Sequence, residues 1–228
     1  MAISKKVIGV VANVTKYGNN IFKVNFKIPI FASKFKAGQF LHLTLEDFDP
    51  SEAYWPESRV FSIASKPGNP LLEVVYGVKG QYTKKMSETL REGMKVWLKL
   101  PFGDFIVDKH IRDGQTVVFI AGGTGISPFI PFFYLYLDNG HISPLHLYYG
   151  IRNKDTFLYK EVIDRISKIA NVHIVEGLFD IEKISLEILK INDAVCFISG
   201  PQPMIAAFQK TLEEKGFPTD SIIIDNWE

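Results

Sequence analysis

The sequence predicts an antiparallel β-barrel followed by a doubly wound parallel-sheet domain, a β + α/β arrangement within one chain. Three observations predict it. Over roughly the first hundred residues, short strand-like runs broken by Gly, Pro and Asn recur at regular spacing. Past Gly114 the pattern changes to strands alternating with helices. At the head of that second part an apolar, β-branched run, Val117 to Ala121, breaks into Gly122, Gly123 and Gly125 and resumes as an apolar segment from Phe129.

Composition bounds the chemistry. The 228 residues are 46% hydrophobic, enough for two domains of roughly 100 residues, each with its own core. Net charge is +1, from 26 basic and 25 acidic residues, and no basic block or stripe points to a nucleic-acid ligand. Cys196 is the sole cysteine, so these residues make no internal disulfide and hold no iron–sulfur cluster, which takes about four cysteine ligands. The histidines at 42, 110, 141, 146 and 173 lack metal-ligand spacing. No metal is expected, and redox chemistry would come from an organic cofactor. Met1 to Lys6 lead into a strand-like run without a signal-peptide pattern. No apolar run reaches the ~18 residues of a membrane span, so a cytoplasmic location is expected.

In order, Val7 to Val14 and Ile21 to Ile28 read as strands joined by a turn at Asn19-Asn20, and Pro29 ends the second. Gly38 to Leu45 reads as a third strand and Glu46 to Ser58 as a loop. Arg59-Val60-Phe61-Ser62-Ile63-Ala64-Ser65 is a short strand, Leu71 to Tyr76 another, and Gln81 to Leu90 a short helix after the turn Gly77 to Gly80. Met94 to Leu100 is again a strand, and Pro101 to Phe105 is expected to turn into one more. The polar stretch Asp108 to Gly114 is the expected boundary, giving domains 1–110 and 111–228. Beyond it, strands are expected at 116–121, 144–149, 172–176, 194–199 and 221–225. Helices are expected at 127–138, 156–169 and 202–214, with a weaker one near 184–190. A ligand of such a sheet sits at the carboxyl ends of its strands.

The glycine stretch has the geometry that takes a pyrophosphate, because glycine admits close approach and the free N–H groups of a helix start face the charge. Pro128 suits the first turn of the expected helix. No Gly-Lys-Ser/Thr ends the stretch, and its spacing differs from Gly-x-Gly-x-x-Gly, so it is neither a Walker loop nor the common dinucleotide fingerprint. Arg59 offers a planar, permanent charge for a phosphate, and Gly80, Gln81, Tyr82 and Thr83 offer backbone donors and a hydroxyl at a helix start. Taken singly, Arg59 also reads as a surface ion pair and Ser62 and Ser65 as strand-edge serines.

Taken together, these segments resemble the ferredoxin–NADP reductase superfamily in its compact form without a fused iron–sulfur domain. Arg59 to Ser65 resembles the family's Arg-x-Tyr-Ser-x-x-Ser flavin motif, with Phe61 where tyrosine is usual. Gly80-Gln81-Tyr82-Thr83 resembles Gly-x-x-Ser/Thr. Gly122, Gly123, Thr124 and Gly125 resemble the nicotinamide dinucleotide loop. Gly150-Ile151-Arg152-Asn153-Lys154-Asp155 resembles the segment near the adenosine ribose, and Ser199-Gly200-Pro201-Gln202-Pro203-Met204 resembles Cys-Gly-Pro-x-x-Met with serine for cysteine.

The resemblance implies an FAD-binding barrel and an NAD(P)H-binding α/β domain, with hydride passing from nicotinamide C4 to flavin N5. It implies that Arg59, Val60, Phe61, Ser62, Ser65, Val75, Tyr76 and Gly80 to Thr83 hold the flavin, and that Ser62 and Ser199 flank the reacting atoms. Gly122 to Gly125, Arg152, Asp155, Gly200, Pro201 and Met204 are implied for the nicotinamide dinucleotide. Arg152 suits either a 2′-phosphate or a nearby adenine, leaving NADH and NADPH both open. Trp227 either stacks on the flavin or caps the last strand. Cys196, inside a strand, reads as core. The implied acceptor is a redox protein such as a ferredoxin, a flavodoxin or an oxygenase component. Two further readings stay open: a reductase of free flavin, and an electron-transfer subunit active only in a complex.

Overall fold

The computed structural model describes residues 4–51, 53–139 and 143–226. It divides into two compact units between Ile106 and Val107.

The first unit is built on β1 (Lys5–Tyr17), a strand long enough to serve two partners. Its first half pairs with β6 (Lys95–Phe102) and its second half with β2 (Ile21–Lys27), the register shifting between Val11 and Asn13. Such a bulge bends a strand and lets it leave one neighbour for the next. Gly9 lies where a Cβ would fall 2.7 Å from Leu98 Cδ1, so glycine there lets Leu98 fill the interior. With β3 (Phe40–Thr44), β4 (Arg59–Ser62) and β5 (Leu71–Gly77) the antiparallel sheet runs β4-β3-β6-β1-β2-β5. Its two ends meet where Ala64 N–H donates to Glu73 O at 2.8 Å, which nearly closes the barrel. Val24, Phe26, Leu41, Leu43, Leu72, Val74 and Leu98 fill the interior, and Met86 of α1 (Gln81–Thr89) joins them. The alternation of these positions with polar ones is what made the strands readable.

One expected strand does not form. After β6 the chain turns at Gly103, φ +92°, and enters a 3-10 turn, Val107–Lys109. The reason is steric. The Phe40 ring lies against Gly103, and the Phe105 carbonyl occupies the place of a Cβ on Gly38, so 103–106 packs across the start of β3 and adds no strand.

The second unit is a five-stranded parallel sheet of β7 (Thr116–Gly122), β8 (Leu145–Ile151), β9 (Asn171–Glu176), β10 (Ala194–Ser199) and β11 (Ile222–Ile224). The order is β11-β10-β7-β8-β9. The chain winds outward from β7 to β9 and returns on the other side of β7 at β10, which puts the topological switch point between β7 and β10. On one face Val118, Ile120, Cys196 and Ile198 pack on Ile184 and Ile188 of α4 (Ile181–Ile188) and on Ile205, Phe208 and Leu212 of α5 (Gln202–Glu214). On the other, Phe119 meets Phe129, Phe132 and Phe133 at centroid distances of 4.5, 5.2 and 5.4 Å.

Helix boundaries depart from expectation here. Gly123–Phe129 is a 3-10 run containing Pro128, and α2 (Ile130–Asn139) begins only after it. Gly123 at φ +56° starts the chain in the left-handed region, and Pro128 cannot donate to a preceding carbonyl. The expected helix at 156–169 is α3 (Lys160–Ile166), entered through Tyr159 at φ +56°. The weak helix is α4, fixed by Asp180, whose carboxylate accepts from Lys183 N–H at 3.1 Å. No helix among the described residues is long and apolar enough to cross a membrane.

Candidate functional site

The first unit gathers its candidates around β4 and the start of α1. Arg59 lies at the exposed beginning of β4, its guanidinium 4.6 Å from the Tyr82 ring centroid. It donates to Glu57 Oε1 at 2.8 Å and to Ser58 O at 2.9 Å. Tyr82 is fixed in turn: its hydroxyl donates to Leu43 O at 2.9 Å and accepts from Leu45 N–H at 3.2 Å. Burial raises its pKa, so it stays a neutral phenol. Leu45, Glu46, Glu57, Arg59, Gln81, Tyr82 and Lys85 line a cavity of about 250 Å³.

The first N–H groups of α1 lack intrahelical partners, and a Cβ on Gly80 would meet nothing within 4 Å, so the turn is open to a ligand. Thr83 differs from expectation. Its Oγ1 accepts from Lys79 N–H and Gly80 N–H at 3.0 and 3.2 Å and donates to Gly80 O at 3.1 Å. The hydroxyl therefore holds its own turn.

Further along the wall, Ser62, Ser65, Val75 and Tyr76 are buried, Val60 is half-buried, and the Phe61 and Tyr76 rings lie 5.8 Å apart. Ser65 Oγ and Tyr76 OH are buried with no hydrogen-bond partner. Buried hydroxyls are nearly always paired, so both fit a polar ligand such as a flavin ring. Burial also raises the Tyr76 pKa, keeping the phenol a donor.

In the second unit the candidates lie at the carboxyl ends of β7 and β10, on the two sides of the switch point. Here glycine is required. A Cβ on Gly122 would fall 2.6 Å from Met204 Sδ and 2.9 Å from Pro201 Cδ, and one on Gly125 would collide with the Ser199 carbonyl. A Cβ on Gly200 would fall 2.8 Å from Met204 Cε. The two loops are thus packed backbone to backbone. Gly123 points the other way, with nothing within 4 Å, and Gly123 and Thr124 are the half-exposed pair of the loop. Ser127 Oγ is buried there without a partner. Open backbone beside a buried, unpaired hydroxyl fits a dinucleotide.

Ser199 is 1% exposed and donates from Oγ to Asp225 Oδ2 at 2.8 Å. Asp225 is itself 4% exposed, and its N–H donates to Ile198 O at 2.9 Å. Sequence reasoning missed Asp225; its only signal was an acid directly after the apolar run Ile222-Ile223-Ile224. Cys196 lies wholly inside the sheet, and burial pushes its thiol pKa up, away from any reactive thiolate. Arg152 and Asp155 are exposed past the end of β8, and Arg152 has no ion-pair partner among the described residues. Trp227 lies outside the described residues. Among those described, no cluster of three or more His, Cys, Asp or Glu could hold a metal.

The sequence matches the model of the FAD-binding domain family over residues 7–131 and that of the oxidoreductase NAD-binding domain over residues 119–210. It is 25% identical over 217 residues to the reductase component of propane 2-monooxygenase from Rhodococcus jostii, covering 85% of this chain and 56% of that one. It is 25% identical over 218 residues to the electron transfer subunit of dihydroorotate dehydrogenase B from Bacillus pumilus, covering 93% and 81%. The chain thus spans little more than half of the first relative's length. In structure it resembles a ferredoxin–NADP+ reductase from Neisseria gonorrhoeae with bound FAD and NADP, with a TM-score of 0.79, 16% identity, and coverage of 97% of this chain and 98% of that one.

Proposed function

The chain belongs to the ferredoxin–NADP reductase superfamily of FAD- and NAD-binding oxidoreductases, and on that premise we propose that it oxidises NADH or NADPH with FAD and passes the electrons to a protein acceptor. FAD, when bound, supplies a centre that takes two electrons as hydride and gives them up singly. The residues contribute binding, orientation and exclusion of water. Arg59 and the first N–H groups of α1 would neutralise the pyrophosphate. Ser62, Ser65 and Tyr76 would bond the ring edge. Gly122 to Gly125, with Gly200, Pro201 and Met204, would seat the nicotinamide dinucleotide, and Arg152 and Asp155 its adenosine end. Asp225 would fix the Ser199 hydroxyl toward the carboxylate, so that toward a ligand Ser199 can only accept. Arg59, Ser65 and the Gly80 turn favour resident FAD over diffusing flavin.

The observation that carries this reading is the pair of glycine-lined strand ends locked across the switch point, following an arginine-flanked helix start in the same chain. The test is rapid anaerobic mixing of FAD-loaded protein with NADH and, in parallel, NADPH. Bleaching of the flavin band is expected. Folded protein that stays colourless and indifferent to added FAD overturns the proposal.

A second reading, an electron-transfer subunit that works only inside a complex, draws on the coverage of the dihydroorotate dehydrogenase B subunit. Oxidation of NADH by the isolated chain with ferricyanide would argue against it.

A further inference from the structure

We infer that β9 is a dimerisation edge: two copies of this chain pair their β9 strands antiparallel about a two-fold axis at Ile174, joining their parallel sheets into one continuous sheet. The inference does not depend on the proposed oxidoreductase function.

β9 ends the sheet, with β8 on one side and, among the described residues, no strand on the other. The opposite edge, β11, is only three residues long. β9 spans six residues, Asn171 to Glu176, and four of them are exposed, so the edge is uncovered. Proteins ordinarily blunt such an edge with Pro, Lys or a bulge. β9 holds neither Pro nor Lys, and its register with β8 runs from His146↔Asn171 to Ile151↔Glu176 without a shift. Ile174 is 39% exposed at its middle, and Ile169 and Leu178 stand exposed at its two ends.

The backbone bonds select the register. Gly177 N–H donates to Ile151 O at 2.8 Å, so it points toward β8. Backbone groups alternate in direction along a strand. His173 and Val175 therefore also turn to β8, and Val172, Ile174 and Glu176 present N–H and C=O to the open edge. A two-fold axis at Ile174 sets Ile174 against its own copy and Val172 against Glu176 of the second copy. Every outward residue then meets an outward residue, for about six hydrogen bonds across the seam. An axis at His173 would oppose two imidazoles and leave Glu176 outside the ladder, and one at Val175 would leave out Val172.

The charges flanking β9 are self-complementary under the same rotation. Residues 165–175 carry Arg165 and Lys168 and no Asp or Glu, and residues 176–182 carry Glu176, Asp180 and Glu182 and no Lys or Arg. All five charged side chains are exposed. Antiparallel pairing lays the basic flank of one copy along the acidic flank of the other, whereas parallel pairing would set like on like. The rotation also brings Leu178 of each copy beside the Ile169 end of the other. A two-fold contact of this kind uses the same patch on both copies and closes at two chains.

The test is sedimentation equilibrium of the full chain at about 100 µM. A mass of twice 25.8 kDa is expected, with weaker association as salt rises from about 10 to about 300 mM. Ile174→Lys sets two ammonium groups face to face on the axis and is expected to weaken association at least about tenfold. Ile174→Cys is expected to cross-link into a covalent dimer under mild oxidation, because opposed residues of a bonded pair have Cα atoms about 5.5 Å apart, within disulfide reach. His173→Cys is expected not to cross-link, and Cys196 is too buried to compete. Deuterium exchange at the Ile174 amide is expected to slow as protein concentration rises. A single-chain mass throughout overturns the inference, as does a dimer that Ile174→Lys leaves intact or any assembly larger than two chains. So does cross-linking through His173→Cys in place of Ile174→Cys. A monomer whose Ile174 amide is slowed only by an added alternating Thr-Val octapeptide also overturns it, assigning the edge to a strand from another protein.

Discussion

The Ser199 hydroxyl donates to the Asp225 carboxylate across 2.8 Å, and both side chains are almost completely buried. The bond ties the end of β10 to the residue just past β11. Ser199→Ala leaves a buried carboxylate short of a donor, a loss of about 1–3 kcal/mol. Thermal melting should register that loss, and NADH oxidation should slow. Asp225→Asn keeps a side-chain acceptor for the hydroxyl and should melt closer to the wild type. Equal melting of Ser199→Ala and wild type would show that the bond contributes nothing.

Arg59→Ala should lose flavin. The Arg59–Glu57 pair is exposed and the Tyr82 ring is half-buried, so removing the guanidinium costs little stability. The expected outcome is a near-unchanged melting point in the flavin-free protein and loss of the yellow absorbance on purification. Full flavin content would remove Arg59 from the site.

Two loop glycines should separate by phenotype. Gly125→Ala drives a methyl into the Ser199 carbonyl and should destabilise the second unit by about 1–3 kcal/mol or more. Gly123→Val meets no neighbouring atom, though φ +56° disfavours a branched side chain. It should raise KM for the nicotinamide severalfold while FAD stays bound. An unchanged KM would count against this loop as the dinucleotide site.

Acid should destabilise the fold through two imidazoles. Burial, then the Lys99 charge, lowers the pKa of His42, whose Nδ1 lies 3.4 Å from Ser58 Oγ. Burial, then His173, lowers that of His146. The unfolded chain therefore binds these protons more readily than the folded one. Their stabilising contribution is complete above the ordinary value of 6.5 and is lost as pH falls from there toward the folded pKa values. The melting point should drop between about pH 7 and pH 5, and His42→Phe with His146→Phe should flatten that drop.

The strands of both units were readable because burial on one face or both leaves an alternating or continuous apolar pattern, as in Leu41 and Leu43 or Val117 to Ala121. What escaped was decided by contacts distant in sequence. The Phe40 ring against Gly103 stops an expected strand, and the left-handed Gly123 with Pro128 delays a helix. Among the candidate site residues, glycines and Arg59 carried their meaning in local spacing. Asp225 did not, because an acid beside three isoleucines acquires a role only when β11 is laid against β10. Nor does local spacing show that the Thr83 hydroxyl accepts from Gly80 N–H of its own cap.

The barrel's two ends are laced where Ala64 meets Glu73, two residues beyond Ser62 and one before Ser65. A seam placed beside the proposed cofactor wall makes occupancy and closure one equilibrium. Deuterium uptake at the Ala64 amide would then act as a gauge of how tightly the cylinder is fastened, slow when FAD is present and quicker once it is stripped away.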